Sequence, residues 1–134
     1  MIGVVIVTHG NLARDLVEVT EMIIGDCSRM IPVPIQPEEG IGEIVKRVES
    51  AVKTADQGTG VLILTDLFGG TPSNVSLSFL QDNKVEVLSG VNLPMIIKIA
   101  TSCEVNDLRE LTRLAKTAGK KNISLASEIM RKKL

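Results

Sequence analysis

A doubly wound α/β fold, a mainly parallel sheet with helices on both faces, is predicted by three observations. Apolar runs of strand length alternate with segments of helical periodicity along the whole chain. The strand runs at 2–7 and 61–65 are continuously apolar, as strands covered on both faces require. Two of these runs end in a polar residue followed by glycine, where open α/β sheets place their chemistry.

The first strand is read over residues 2–7, rich in β-branched side chains. From Asn11 to Ile24, Leu12, Leu16, Val19 and Ile23 recur at helical spacing until Gly25, with Asn11 placed to cap the start. Residues 29–35 form a strand that Pro32 and Pro34 confine to a sheet edge. Ile41, Ile44, Val45, Val48, Ala51 and Val52 mark a second helix, and the third strand follows at 61–65. Thr71, Pro72 and Ser73 open a helix with proline in its first turn, and Lys84–Ser89 is a fourth strand. Gly90 precedes a helix from Leu93 to Ala100, and another runs from Asp107 to Ala118, stopping at Gly119. Ile123 and Leu125 then allow a last strand, with a helix through Met130 as the competing assignment. Connections from strand to parallel strand in such a sheet are right-handed, which distributes the helices over its two faces.

Composition narrows the function. The 134 residues suit one domain over 1–134, and 44% are hydrophobic but only 1% aromatic. With Phe68 and Phe79 as the sole rings, there is no stacking platform for single-stranded nucleic acid, and no nucleic-acid partner is expected. No apolar run approaches a membrane span and no basic leader precedes the first strand, so a cytoplasmic location is expected. Cys27 and Cys103 have neither the spacing nor the histidines for a zinc set and read as buried thiols; no metal or cofactor is expected. Residues 109–134 carry 8 of the 15 basic residues but only Glu110 and Glu128 of the 16 acidic ones, the pattern of a solvated face or of one paired with an acidic body.

The candidate site rests on the two strand ends. His9, the only histidine, ends the first run, and Asp66 ends the third. If those strands are parallel neighbours, imidazole and carboxylate lie side by side under the next helix. A carboxylate that accepts from one ring N–H fixes the tautomer and offsets positive charge developing on the ring. Backbone N–H groups at Gly69, Gly70 and the helix start suit an anion, with the Thr71 and Ser73 hydroxyls as supplements. A phosphoryl group matches that environment, which makes His9 a candidate phosphohistidine. The purely structural alternative, in which Asp66 caps a helix and the glycines make a tight turn, remains open at the level of spacing.

The segments Val5-Ile6-Val7-Thr8-His9-Gly10, Thr65-Asp66-Leu67-Phe68-Gly69-Gly70-Thr71-Pro72-Ser73-Asn74 and Ser89-Gly90-Val91-Asn92-Leu93-Pro94-Met95 together resemble the mannose-type (mannose/fructose/sorbose) enzyme IIA domain of the bacterial phosphoenolpyruvate-dependent sugar phosphotransferase system. The resemblance spans nearly the whole chain. It implies that His9 is phosphorylated by the phosphocarrier HPr and passes the group to a IIB partner, reaching the membrane only indirectly through the IIC/IID transporter. Asp66 is then the orienting residue and Thr71, at a position commonly serine, a phosphate-side hydroxyl. It also implies a homodimer in which a C-terminal antiparallel strand, around Asn122–Ala126, is exchanged between subunits. The chain length leaves no room for a fused IIB domain, so a separate acceptor is expected. Two other readings remain: a regulatory IIA-like protein whose phosphorylation gates partner binding, and a dihydroxyacetone-kinase phosphotransfer subunit, whose second motif usually lacks the Gly69–Asn74 pattern intact here.

Overall fold

The computed structural model describes residues 1–27 and 29–133. Four strands, β1 (Gly3–His9), β2 (Met30–Ile35), β3 (Val61–Thr65) and β4 (Val85–Ser89), form one parallel sheet in the order β2-β1-β3-β4. Between them and after them run helices α1 (Leu12–Ile24), α2 (Ile41–Ala55), α3 (Thr71–Leu77), α4 (Leu93–Ala100), α5 (Leu108–Lys121) and α6 (Ala126–Lys133). The strands pair in parallel because each is followed by a helical crossover, and β2 lies at the edge, where its two prolines leave no interior ladder bond unmade.

Both faces of the sheet are buried, and the alternation of side chains along the strands sorts them into two cores. Val4, Ile6, Leu62 and Leu64 pack with Ala13 and Val17 of α1, Ile96 and Ile99 of α4, and Leu111 and Ala115 of α5. Val5, Val7, Val61 and Ile63 face the other way, onto Ile44, Val48 and Ala51 of α2 and Val75 of α3. Aliphatic residues fill both layers almost alone. At the opposite end of β1 from His9, Gly3 lets the C-terminal end of α2 approach, since a Cβ there would overlap the Ala55 carbonyl.

Four local expectations need correction. Asn11 stands at the N-cap of α1, but its side chain makes no capping bond; Thr8 Oγ1 accepts the Ala13 N–H at 2.7 Å instead, because the strand leads into the helix through only two residues. Gly119 does not end α5. It lies within the helix because a Cβ there would stand 3.0 Å from Met95 Cε and 3.3 Å from Asn92 Oδ1, so the missing side chain serves packing. Cys27 is buried, but Cys103 is exposed, in the connection between α4 and α5. Finally, residues 123–125 pair with no strand among the described residues, and Ala126–Lys133 forms the competing helix. Leu125 O accepts the N–H groups of Glu128 and Ile129, and Glu128, Met130, Arg131 and Lys132 favour helix over an isolated strand with no neighbouring edge.

Candidate functional site

The crossover topology puts β1 and β3 side by side, with Val7 opposite Thr65, so their C-terminal ends deliver His9 and Asp66 to the same place. Gly10 follows with φ of 55°, a left-handed turn that sends the chain into α1, and its N–H is held by Ile35 O at 2.7 Å. Asp66 Oδ2 accepts the backbone N–H of His9 at 2.9 Å and faces its Nδ1 at 2.8 Å, while Oδ1 accepts the Leu67 N–H at 3.0 Å. The carboxylate is thus tied to both strand ends.

Burial pushes the Asp66 carboxyl up, but the hydrogen bonds from His9 and Leu67 and the nearby imidazole outweigh it and leave its pKa lowered. An ionised carboxylate only accepts, so Nδ1 carries a proton, and in the neutral ring Nε2 keeps its lone pair. The ring is half exposed, at 54% of its side-chain surface against 11% for Asp66. With Nδ1 facing Asp66, Nε2 lies on the opposite edge of the ring.

Gly70, the N-cap of α3, lies against that same edge of the ring. A Cβ on it would stand 2.8 Å from His9 Cε1 and 3.2 Å from Nε2, so glycine is what lets the helix start approach Nε2. Gly69 sets up this approach with φ of 101°. Thr71 and His9 share the wall of a cavity of about 500 Å³ that Ile35, Gln36, Glu39 and Ile41 line on the opposite side. Ser73 does not join them. It falls on the buried stripe of α3 with Pro72, Val75 and Ser76, and its Oγ is buried without a hydrogen-bond partner among the described residues.

The far wall of the cavity escaped the sequence reading. Glu39 accepts the Gln36 N–H at 2.9 Å and both its oxygens take Arg47 Nη1 at 2.7 Å, which holds its carboxyl below the usual range. Gln36 Nε2 donates to Asn11 Oδ1 at 3.0 Å, linking the loops after β1 and β2. Only the Glu38-Glu39-Gly40 entry to α2 hinted at such a clasp.

The third quoted segment has a framework role. Asn92 Oδ1 accepts the Met95 N–H at 3.0 Å as the cap of α4, and its Nδ2 donates to Gly119 O at 3.1 Å, joining α4 to α5. Thr65 Oγ1 donates to Ser89 Oγ at 2.8 Å, fixing the ends of β3 and β4 together.

A carboxylate-oriented imidazole beside a helix start is not unique to one fold, and comparison with known proteins decides the family. The model described as "PTS system fructose IIA component" matches residues 3–116. The chain belongs to this IIA family. The IIA component is 33% identical over 133 residues to the "PTS system fructose-specific EIIA component" of Bacillus subtilis, covering 98% of this chain and 91% of that protein. It is 29% identical over 124 residues to the "PTS system mannose-specific EIIAB component" of Escherichia coli K12, covering 91% of this chain but 38% of that longer protein. Among solved structures, phosphotransferase system component EIIA from Streptococcus agalactiae superposes with a TM-score of 0.86 at 28% identity, covering 96% of this chain and 99% of that one. The IIA component is accordingly a phosphotransferase carrier of sugar phosphotransfer, with the α/β fold of its relatives. None of its described helices is long and apolar enough to cross a membrane.

Proposed function

We propose that this IIA component takes a phosphoryl group from phospho-HPr onto Nε2 of His9 and passes it to a separate IIB protein in the cytoplasm, for sugar uptake. The lone pair of Nε2 attacks phosphorus in line as the P–N bond to the donor imidazole breaks, and that bond's electron pair returns to the donor ring. The return step is the same displacement on phospho-His9 by the acceptor nucleophile. Asp66 holds the Nδ1 proton and offsets the charge that the ring acquires on phosphorylation. The amides at Gly69, Gly70 and Thr71 and the Thr71 hydroxyl meet the equatorial oxygens as charge redistributes.

One observation carries the reading: Nδ1 is engaged by Asp66 at 2.8 Å while Nε2 lies beside Gly70 at the start of α3, on a half-exposed ring. The intact Gly69–Asn74 pattern favours a IIB acceptor over a dihydroxyacetone-kinase subunit. The second expectation, a homodimer, draws support from the edge position of β4 in the sheet and from the exposure of Ile123 and Leu125. Incubation with phosphoenolpyruvate, enzyme I and HPr should label the protein with an acid-labile, alkali-stable phosphate, and His9→Ala should abolish it. A labelled His9→Ala protein, or an acid-stable label, refutes the assignment.

A further inference from the structure

We infer that Arg47 is a charge-masking residue of the phosphoryl site: by pairing with Glu39 on the cavity wall across from His9, it sets how favourably the phosphoryl group is held. The inference rests on the phosphotransfer reading above and adds a residue that governs the phosphoryl equilibrium from behind the cavity wall.

The cavity beside His9 poses a problem for an anion. Besides the ring, its lining is apolar or uncharged, as Ile35, Gln36, Ile41, Ile44 and Thr71 are, with the single exception of Glu39. The hydrogen bond from Gln36 and the Arg47 guanidinium both favour the ionised form of that carboxyl, so Glu39 keeps its charge at neutral pH. A phosphoryl group there carries about 1.5 to 2 negative charges. Left to themselves, Glu39 and phospho-His9 would repel across the cavity.

A cation placed behind the carboxylate meets the repulsion. Arg47, in the second turn of α2, brings Nη1 to 2.7 Å from both Glu39 oxygens and donates to Pro34 O at 2.9 Å. It is not itself among the residues that line the cavity, so its part there is electrostatic. The side chain of Glu39 is only 13% exposed and that of Arg47 36%, which leaves the pair less screened by water than one on the open surface. Glu39 enters no other ion pair among the described residues. Without Arg47 its charge stands uncompensated on the wall.

Folding of the loop does not by itself call for the charge. Glu39 accepts the Gln36 N–H at 2.9 Å and Gln36 Nε2 reaches Asn11 Oδ1 at 3.0 Å, bonds that a neutral glutamine at position 39 still serves through its amide oxygen. A neutral donor satisfies Pro34 O as well. Only a cation balances Glu39.

The test reads an equilibrium, phospho-HPr and free His9 going to HPr and phospho-His9, because its position depends on the stabilities of the two phosphorylated proteins and not on how they dock. Isolated phospho-HPr is mixed with each variant until the labelled fractions of both proteins stop changing. The cavity, of about 500 Å³, is roughly 10 Å across, and at that range one unmasked charge shifts the equilibrium of a dianion about tenfold at an effective dielectric between those of a protein surface and water. Arg47→Met should therefore lower the equilibrium constant about tenfold and Glu39→Gln should raise it by a similar factor. Glu39→Gln/Arg47→Met, neutral again, should return it close to the wild-type value, and Arg47→Lys, which keeps the charge, should stay there. A clasp that merely shapes the loop leaves the double variant at least as impaired as Arg47→Met; that result, a fall in Glu39→Gln, or equal constants throughout overturns the inference. If circular dichroism shows Arg47→Met unfolded, Glu39→Gln alone decides, and the absence of a rise overturns it. Wild-type protein that takes no label from phospho-HPr refutes the phosphotransfer reading itself, a result distinct from labelled wild type with indifferent variants.

Discussion

Asp66→Asn isolates what the carboxylate contributes, because the amide is nearly the same size but carries no charge and only one acceptor atom. In the folded protein Oδ2 serves two donors from His9 and Oδ1 serves Leu67. If the amide oxygen stays with His9, the NH₂ group confronts the Leu67 N–H, and one hydrogen bond at a nearly buried position is lost, about 1–3 kcal/mol of stability. If the amide flips, NH₂ confronts Nδ1, the ring must move its proton to Nε2, and the nucleophilic lone pair disappears. Either way the charge is gone. A carboxylate about 4 Å from the centre of a cationic ring is worth roughly 4 kcal/mol at an effective dielectric of about 20, and the half-exposed ring reduces that through solvent screening. If about 1.5–3 kcal/mol survives and is felt in the transition state, transfer slows about 10- to 100-fold. Rapid-quench measurement of label passing from phospho-HPr to the variant, and from the phosphorylated variant to IIB, reads both directions. Circular dichroism checks that the fold is intact. Wild-type rates both ways would show that Asp66 only ties the ends of β1 and β3, and would remove it from the chemistry.

Gly70→Ala should fold but transfer poorly, because its new Cβ would sit 2.8 Å from His9 Cε1 and displace the ring; an unchanged labelling rate by phospho-HPr would show that the helix start does not set the nitrogen's position. Ile63→Ala removes a fully buried side chain from the core under α2 and α3 and should cost about 2–5 kcal/mol, read as a lower Tm of roughly 10 °C in thermal unfolding. Acid should weaken the protein through Asp66: its folded pKa is depressed, so the stabilisation is complete above the ordinary carboxyl value near about 4 and is lost as pH falls through the lower folded value. Urea midpoints between pH 6 and 2 should therefore fall less in Asp66→Asn than in the wild type, and parallel curves would refute the linkage. Sedimentation should give a dimer at micromolar concentration and a monomer after deletion from Ile123 onward; a full-length monomer would remove the exchanged strand.

What was legible in the sequence, and what was not, follows from the range of the interaction involved. The four parallel strands and the helices covering them are written in runs such as Val4–Val7 and Val61–Leu64, because burial on both faces demands continuous apolar residues wherever the sheet is interior. The meeting of His9 and Asp66 was legible for the same reason: each follows such a run after a single threonine, and parallel pairing does the rest. Features that depend on one side chain meeting another from a distant segment were not. Gly119 looks like a helix stop in the sequence, yet its role is set by Met95 and Asn92, which are far away in the chain. Ser73 looks like Thr71 until the pitch of α3 turns one hydroxyl inward and leaves the other beside His9. Asn11 is a better cap than Thr8 by residue type, but the abrupt entry to α1 puts the Thr8 hydroxyl within 2.7 Å of the Ala13 N–H. The C-terminal segment is the limiting case. Ile123 and Leu125 alternate as a strand would, but a strand exists only where an edge receives it, and within one chain the residues beyond them satisfy their backbone as α6. In the proposed homodimer a sheet edge of the partner would receive this segment, and its conformation would then depend on the assembly as well as on its residues.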